Sequence, residues 1–145
     1  MSSIDFFYEN VESLTIHEKS LISHLNSLIK NELKMQGNIA VIFCSDEYLL
    51  EMNKEYLEHD YYTDIITFDY VEGDVISGDL FISFDRIAEN AKTFNTTLFR
   101  ELYRVVFHGV LHLVGYNDKS DEDAKTMREK ENYYLSEVDF SEWER

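Results

Sequence analysis

One segment constrains this chain more than any other: Phe107-His108-Gly109-Val110-Leu111-His112-Leu113-Val114-Gly115-Tyr116-Asn117-Asp118. It closes a helix predicted over Leu98 to Val114, with Leu102, Val105, Val106 and Leu113 available for a buried face. His108 and His112 are four apart, so on a helix they share one face with Cβ atoms about 6 Å apart. That separation lets two imidazoles converge on one ion at about 2.0–2.1 Å each. Gly115 stands where the helix must end for the chain to return, and glycine tolerates the left-handed conformation of such a terminus. The reversed chain can bring Asp118 to a third coordination position, which leaves the fourth to water. Three protein ligands plus an open position are the pattern of a catalytic divalent transition-metal site, with zinc as the first expectation. Asp121 and Asp123 lie close by, but after Ser120 they read as the acids that cap a following helix.

The residue between the histidines narrows the chemistry. In the zinc-protease pattern H-E-x-x-H, the glutamate beside the first histidine is the general base. Here that position is Gly109, so a peptidase mechanism lacks its proton acceptor. Two histidines and a carboxylate also suit non-haem iron oxygenases, but no second signal for oxygen chemistry accompanies them. What is left for the metal is to activate water and to polarise a phosphoryl or carbonyl oxygen. No general base is assigned from sequence.

The rest of the chain predicts one domain, residues 1–145, of α+β class: a mixed sheet of about four strands with helices packed on it. Ile4, Phe6 and Tyr8 alternate as in a strand. Thr15-Ile16-His17-Glu18 has capping-box form ahead of a helix bearing Leu21, Ile22, Leu25, Leu28 and Ile29, with Gly37 past its end and His17 and His24 on its solvent side. Ile39 to Cys44 is an apolar run of interior-strand type. Ser45 caps a second helix, Thr63–Phe68 and Gly78–Ser83 read as strands around a Glu72-Gly73-Asp74 turn, and Arg86 to Phe94 as a short helix. No apolar run approaches the roughly 20 residues that span a bilayer. The N-terminus has no signal-peptide form, and a lone Cys44, expected to be a buried hydrophobe, fits a reducing compartment. These features predict a cytoplasmic protein. The net charge of -16 argues against a nucleic-acid binder and favours basic protein partners.

Three blocks resemble the YbeY family of rRNA-maturation endoribonucleases. The family motif H-G-x-L-H-L-x-G-Y-D-H is met by HGVLHLVGYND from His108 to Asp118, T-D-V-L-S-F by TDIITF from Thr63, and G-D-I-x-I-S by GDLFIS from Gly78. The resemblance implies a cytoplasmic, metal-dependent endoribonuclease specific for single-stranded RNA. Its substrate would be the 3′ end of small-subunit rRNA, with a further role in ribosome quality control and with ribosomal proteins or assembly factors as partners. It also implies His108, His112 and Asp118 as the metal ligands. Asp118 departs from the family's usual third histidine, and Asn117 from the acid before it.

Leu57 departs again, standing where the family commonly has an arginine thought to position phosphate. Arg100 and Arg104, at four-residue steps before His108, are candidate replacements, as is Lys54. Their bland alternative is a solvated face paired with acids such as Glu101. His59, Tyr61 and Tyr62 could stack on unpaired bases, against ordinary packing for the tyrosines. Two rival functions stay open: a non-catalytic ribosome-assembly factor with a structural metal, and a metal-dependent hydrolase of another substrate.

Overall fold

The computed structural model describes residues 2–9, 16–57 and 63–141. Four strands form one mixed sheet in the order β1-β2-β4-β3, where β1 is Ile4–Glu9, β2 Met35–Cys44, β3 Ile65–Asp69 and β4 Val75–Ser83. β1 and β4 flank β2, both parallel to it, and β3 lies antiparallel on β4. The apolar run from Ile39 therefore falls on an interior strand, where both neighbours and both faces are covered. Ile4, Phe6 and Tyr8 turn inward from β1 as their alternation predicts.

Helices α1 (Glu18–Asn31) and α4 (Leu98–Val114) pack over the sheet, and α5 (Asp121–Ser136) and α3 (Phe84–Thr93) pack on α4. Leu80 and Ile82 point into this main core with Leu21, Leu25, Leu102, Val106 and Phe107. Phe81, between them, points the other way, as alternation along a strand requires. There it meets Leu49, Ile66 and Cys44 under α2 (Asp46–Leu57). Burial pushes the Cys44 thiol up to about 12, and its Sγ lies 3.5 Å from the Ile82 carbonyl, so it is the inert packed residue expected.

The structure corrects three expectations in the first half of the chain. The α1 helix starts at Glu18 after a left-handed His17, and Glu18 accepts a hydrogen bond from the Tyr8 hydroxyl at 2.9 Å; Thr15 lies outside the described residues. His24 is not on the solvent side: its ring sits 6.5 Å from that of Tyr103, and burial lowers its pKa against the opposing charge of Glu137. Gly37 does not stop α1. The chain turns instead at Leu33, with φ 63°, while Gly37 sits within β2. A Cβ at Gly37 would fall 2.0 Å from Ser77 Oγ and 2.8 Å from the Ile76 carbonyl, so the glycine serves the approach of β4.

Candidate functional site

Helix α4 is apolar almost all round because the sheet, α1, α3 and α5 all pack on it. Thr97 caps it, accepting from Arg100 N–H at 3.2 Å, and Gly115 ends it with φ 131°. The Gly115 and Tyr116 amides close back on the Leu111 carbonyl, so the chain reverses within one turn. Ser120 then caps α5 through the Asp123 amide at 3.0 Å, as its position predicts. The short link between the two caps holds Asp118 over α4, with Oδ2 3.5 Å from Nε2 of His108.

His108 and Asp118 line a cavity of about 320 Å³ between α4, α5 and the start of β3. Asp64, Arg104, Arg128 and Glu131 stand in the same wall. Glu131 Oε2 lies 2.8 Å from Nδ1 of His108, so the imidazole is held at one nitrogen while the other faces Asp118. Arg104 donates from Nε to Glu101 at 3.2 Å and from Nη1 to Glu131 at 3.4 Å; Arg128 Nη1 reaches Glu131 at 3.5 Å. Burial alone would lower the His108 pKa. The hydrogen bond and charge of Glu131, with the charges of Asp118 and Asp64, outweigh it and raise the value. Burial raises Asp64, against the charge of His108 and hydrogen bonds from the Asp64 and Ile65 amides. Burial likewise raises Glu101, against the charge of Arg104.

Two donors at the corners of a tetrahedral zinc site stand about 3.4 Å apart, given bonds of about 2.0–2.1 Å. The 3.5 Å between His108 Nε2 and Asp118 Oδ2 fits one edge of such a site. The Glu131 contact at the far ring nitrogen is the support that metal-bound histidines carry. His112 follows one turn along the same helix, partly buried, and is not in the cavity wall. Among the described residues no three His, Cys, Asp or Glu side chains converge on one point as a complete ligand set.

Gly109 has a packing reason. A Cβ there would lie 2.7 Å from Ile65 Cδ1 and 3.0 Å from both Leu80 δ-carbons, so α4 rides on β3 and β4 with no room for a side chain. The glutamate of the zinc proteases is thus sterically excluded.

Among the candidate cations, Arg104 is in the cavity wall and also borders an adjoining hollow of about 290 Å³ that contains Arg100. The Arg100 guanidinium lies 4.8 Å over the Phe140 ring. Lys54 is on α2, on the other face of the sheet, 3.6 Å from Glu51, and does not line the cavity. Leu57 ends α2 exposed, and His59, Tyr61 and Tyr62 lie outside the described residues. Sequence reasoning missed Asp64, Arg128 and Glu131. Glu131 left a signal, since it occupies the inward stripe of α5 with Met127 and Tyr134.

Comparison with known proteins agrees with this architecture. The family model described as Endoribonuclease YbeY matches residues 7–139. A protein of Parabacteroides distasonis named Endoribonuclease YbeY is 47% identical over 134 residues, covering 92% of this chain and 94% of its own. The protein of that name from Flavobacterium johnsoniae is 51% identical over 129 residues, covering 89% and 92%. The solution structure of a Thermotoga maritima protein superposes with a TM-score of 0.68 at 32% identity, covering 95% of this chain and 91% of that one. The class that fold and relatives define is that of endoribonucleases with a single α+β domain. The chain belongs to the YbeY endoribonuclease family.

Proposed function

We propose that this protein is a metal-dependent endoribonuclease of the cytoplasm that cuts single-stranded RNA. Its substrate is the 3′ end of small-subunit rRNA, and it also acts in ribosome quality control. One zinc ion, or another divalent transition metal, is held by His108, His112 and Asp118. The observation that carries the reading is the 3.5 Å pairing of His108 Nε2 with Asp118 Oδ2 in a cavity that also holds two arginines. When bound, the ion supplies Lewis acidity to a phosphoryl oxygen and acidifies water. The chain's own residues bind and orient. Arg104, shared by the cavity and the hollow containing Arg100, offers a backbone phosphate a charged partner on the way to the site. Asp64, raised by burial in the same wall, is a carboxylate suited to take up a proton there. Among the described residues no helix is long and apolar enough to cross a membrane, in keeping with a substrate met in solution.

The net charge of -16 favours one other reading: an assembly factor that docks basic ribosomal proteins and uses its metal only structurally. A single experiment separates the two. Purified wild type and His112→Ala are incubated with single-stranded rRNA fragments, and the cuts are mapped. Cleavage lost in a folded variant supports the enzyme. Equal cleavage in both removes the metal from the chemistry.

A further inference from the structure

Glu131 is a buried carboxylate on an otherwise apolar stripe. It shares the inward stripe of α5 with Met127 and Tyr134, and its side chain is 5% exposed. Removing a carboxylate from water is costly, and pairing it often does no better for stability than an apolar side chain of similar size. Both of its oxygens are nonetheless committed to the cavity. Oε2 takes Nδ1 of His108 at 2.8 Å, and Oε1 faces Arg104 Nη1 at 3.4 Å and Arg128 Nη1 at 3.5 Å. One carboxylate thus touches a candidate ligand and two candidate phosphate cations, which come from two helices.

We propose that Glu131 is a positioning residue: it fixes His108 as the Nδ1–H tautomer, leaving the Nε2 lone pair directed at the metal, and it holds Arg104 and Arg128 at the cavity wall for RNA phosphate. The inference rests on the metal and RNA reading given above. A carboxylate that accepts from Nδ1–H fixes the ring's orientation and makes its other nitrogen a stronger donor to a cation. The same charge keeps two guanidiniums at the cavity, and Arg128, with 57% of its side chain exposed, is the one open to a ligand. Arg104 is also anchored by Glu101, so of the two guanidiniums Arg128 depends more on Glu131 for its place.

The test uses the full chain and the variants Glu131→Leu, Glu131→Gln and Arg128→Ala. A purely structural role predicts a lower unfolding temperature for Glu131→Leu, since Arg104, Arg128 and His108 lose their shared partner, with tautomer and zinc affinity unchanged. Positioning predicts three further results. In metal-free wild type at a pH where His108 is neutral, nitrogen NMR shows the Nδ1–H tautomer, and Glu131→Leu loses it. Zinc affinity, measured by competition with a chromophoric chelator, falls about 10- to 100-fold in Glu131→Leu and recovers in part in Glu131→Gln, whose amide oxygen still accepts. Arg128→Ala keeps wild-type zinc affinity but lowers the salt slope of single-stranded RNA binding by about 0.7. Wild-type tautomer and zinc affinity in Glu131→Leu would overturn the role of Glu131 alone. A wild type that binds neither zinc nor RNA would overturn the functional reading beneath it as well.

Discussion

The Tyr116 hydroxyl donates to Glu32 Oε1 at 2.6 Å, which locks the end of α1 to the turn that carries Asp118. Tyr134 of α5 donates to the other oxygen of Glu32, and Lys130 reaches the same oxygen at 3.1 Å. The end of α1, the helix α5 and the turn after α4 therefore meet on one carboxylate just behind the link that places the candidate ligand. The lock lies outside the cavity and sets its geometry from behind.

Glu32 should make stability depend on pH. Burial pushes its pKa up, but hydrogen bonds from Tyr116, Tyr134 and Lys130, with the lysine's charge, outweigh burial and hold it below the usual 4.5. A depressed carboxylate stabilises the fold fully above its unfolded value and loses that contribution as pH falls through its folded value. Glu32→Gln should therefore lose about 1–3 kcal/mol at pH 7. The gap to wild type should close as pH drops below 4.5. Urea unfolding at pH 7 and in acid checks this; a gap that stays constant with pH would mean that charge plays no part.

Asp118 should widen the range of usable metals. A carboxylate is a harder ligand than imidazole and favours harder cations. Metal-stripped protein should regain RNA cleavage with manganese as well as zinc, whereas Asp118→His should narrow the response toward zinc. Reactivation by a panel of divalent ions reads this directly, and matching panels for the two proteins would refute it. Asp118→Asn, which keeps the shape and loses the charge, should weaken zinc binding while leaving the fold intact, since Asp118 is exposed.

Gly109 should tolerate a methyl group poorly and a longer side chain not at all. Its missing Cβ faces Ile65 Cδ1 at 2.7 Å and the Leu80 methyls at 3.0 Å, atoms at the flexible ends of their chains. Overpacking costs about 1–3 kcal/mol, and alanine regains about 1 kcal/mol of helix propensity. A net loss of about 1 kcal/mol is expected for Gly109→Ala by denaturant unfolding. Gly109→Glu, which rebuilds the zinc-protease pattern, should fail to fold cooperatively because it forces a charge between α4 and the sheet. A stable, folded Gly109→Glu protein would show that the packing has more room than these distances allow.

What sequence could show follows from the range of the interactions. Helix α4 was legible to its ends because the apolar periodicity and Gly115 are local signals. The strand run Ile39–Cys44 was legible for the same reason, but the four residues before it, from Met35, were not: they are drawn into β2 by pairing with β4. Gly37 misled because a glycine needed for close strand approach looks the same in sequence as a helix stop, and Leu33 took the left-handed turn instead. At the site, His108 and Asp118 are joined by a local reversal and could be paired from spacing. Glu131 reaches His108 from another helix, across 23 residues, and only the packing of α5 on α4 reveals the contact. Its signature, an acid on an apolar stripe, marks a buried charge without saying what it meets.

Asp64 should trade stability for activity. Burial raises its pKa above the usual 3.8 and the charge of Glu131 adds to this, while His108 and the Asp64 and Ile65 amides only partly oppose them. An acid whose pKa is raised on folding favours the folded state most below its unfolded value, and that contribution is lost as pH climbs through the folded value. Above the unfolded value of 3.8 this acid is therefore a burden on the stability of the metal-free protein. Asp64→Asn removes the charge and keeps an acceptor for the backbone amides, so it should melt above wild type at pH 7, with the advantage fading toward the unfolded value of 3.8. Cleavage of single-stranded RNA should fall about 10²- to 10⁴-fold, as when a positioned proton acceptor is lost. Calorimetry and a cleavage assay on the same preparation give both numbers. A variant more stable than wild type yet fully active would place Asp64 outside the reaction, and one less stable would show that its charge is satisfied in the fold.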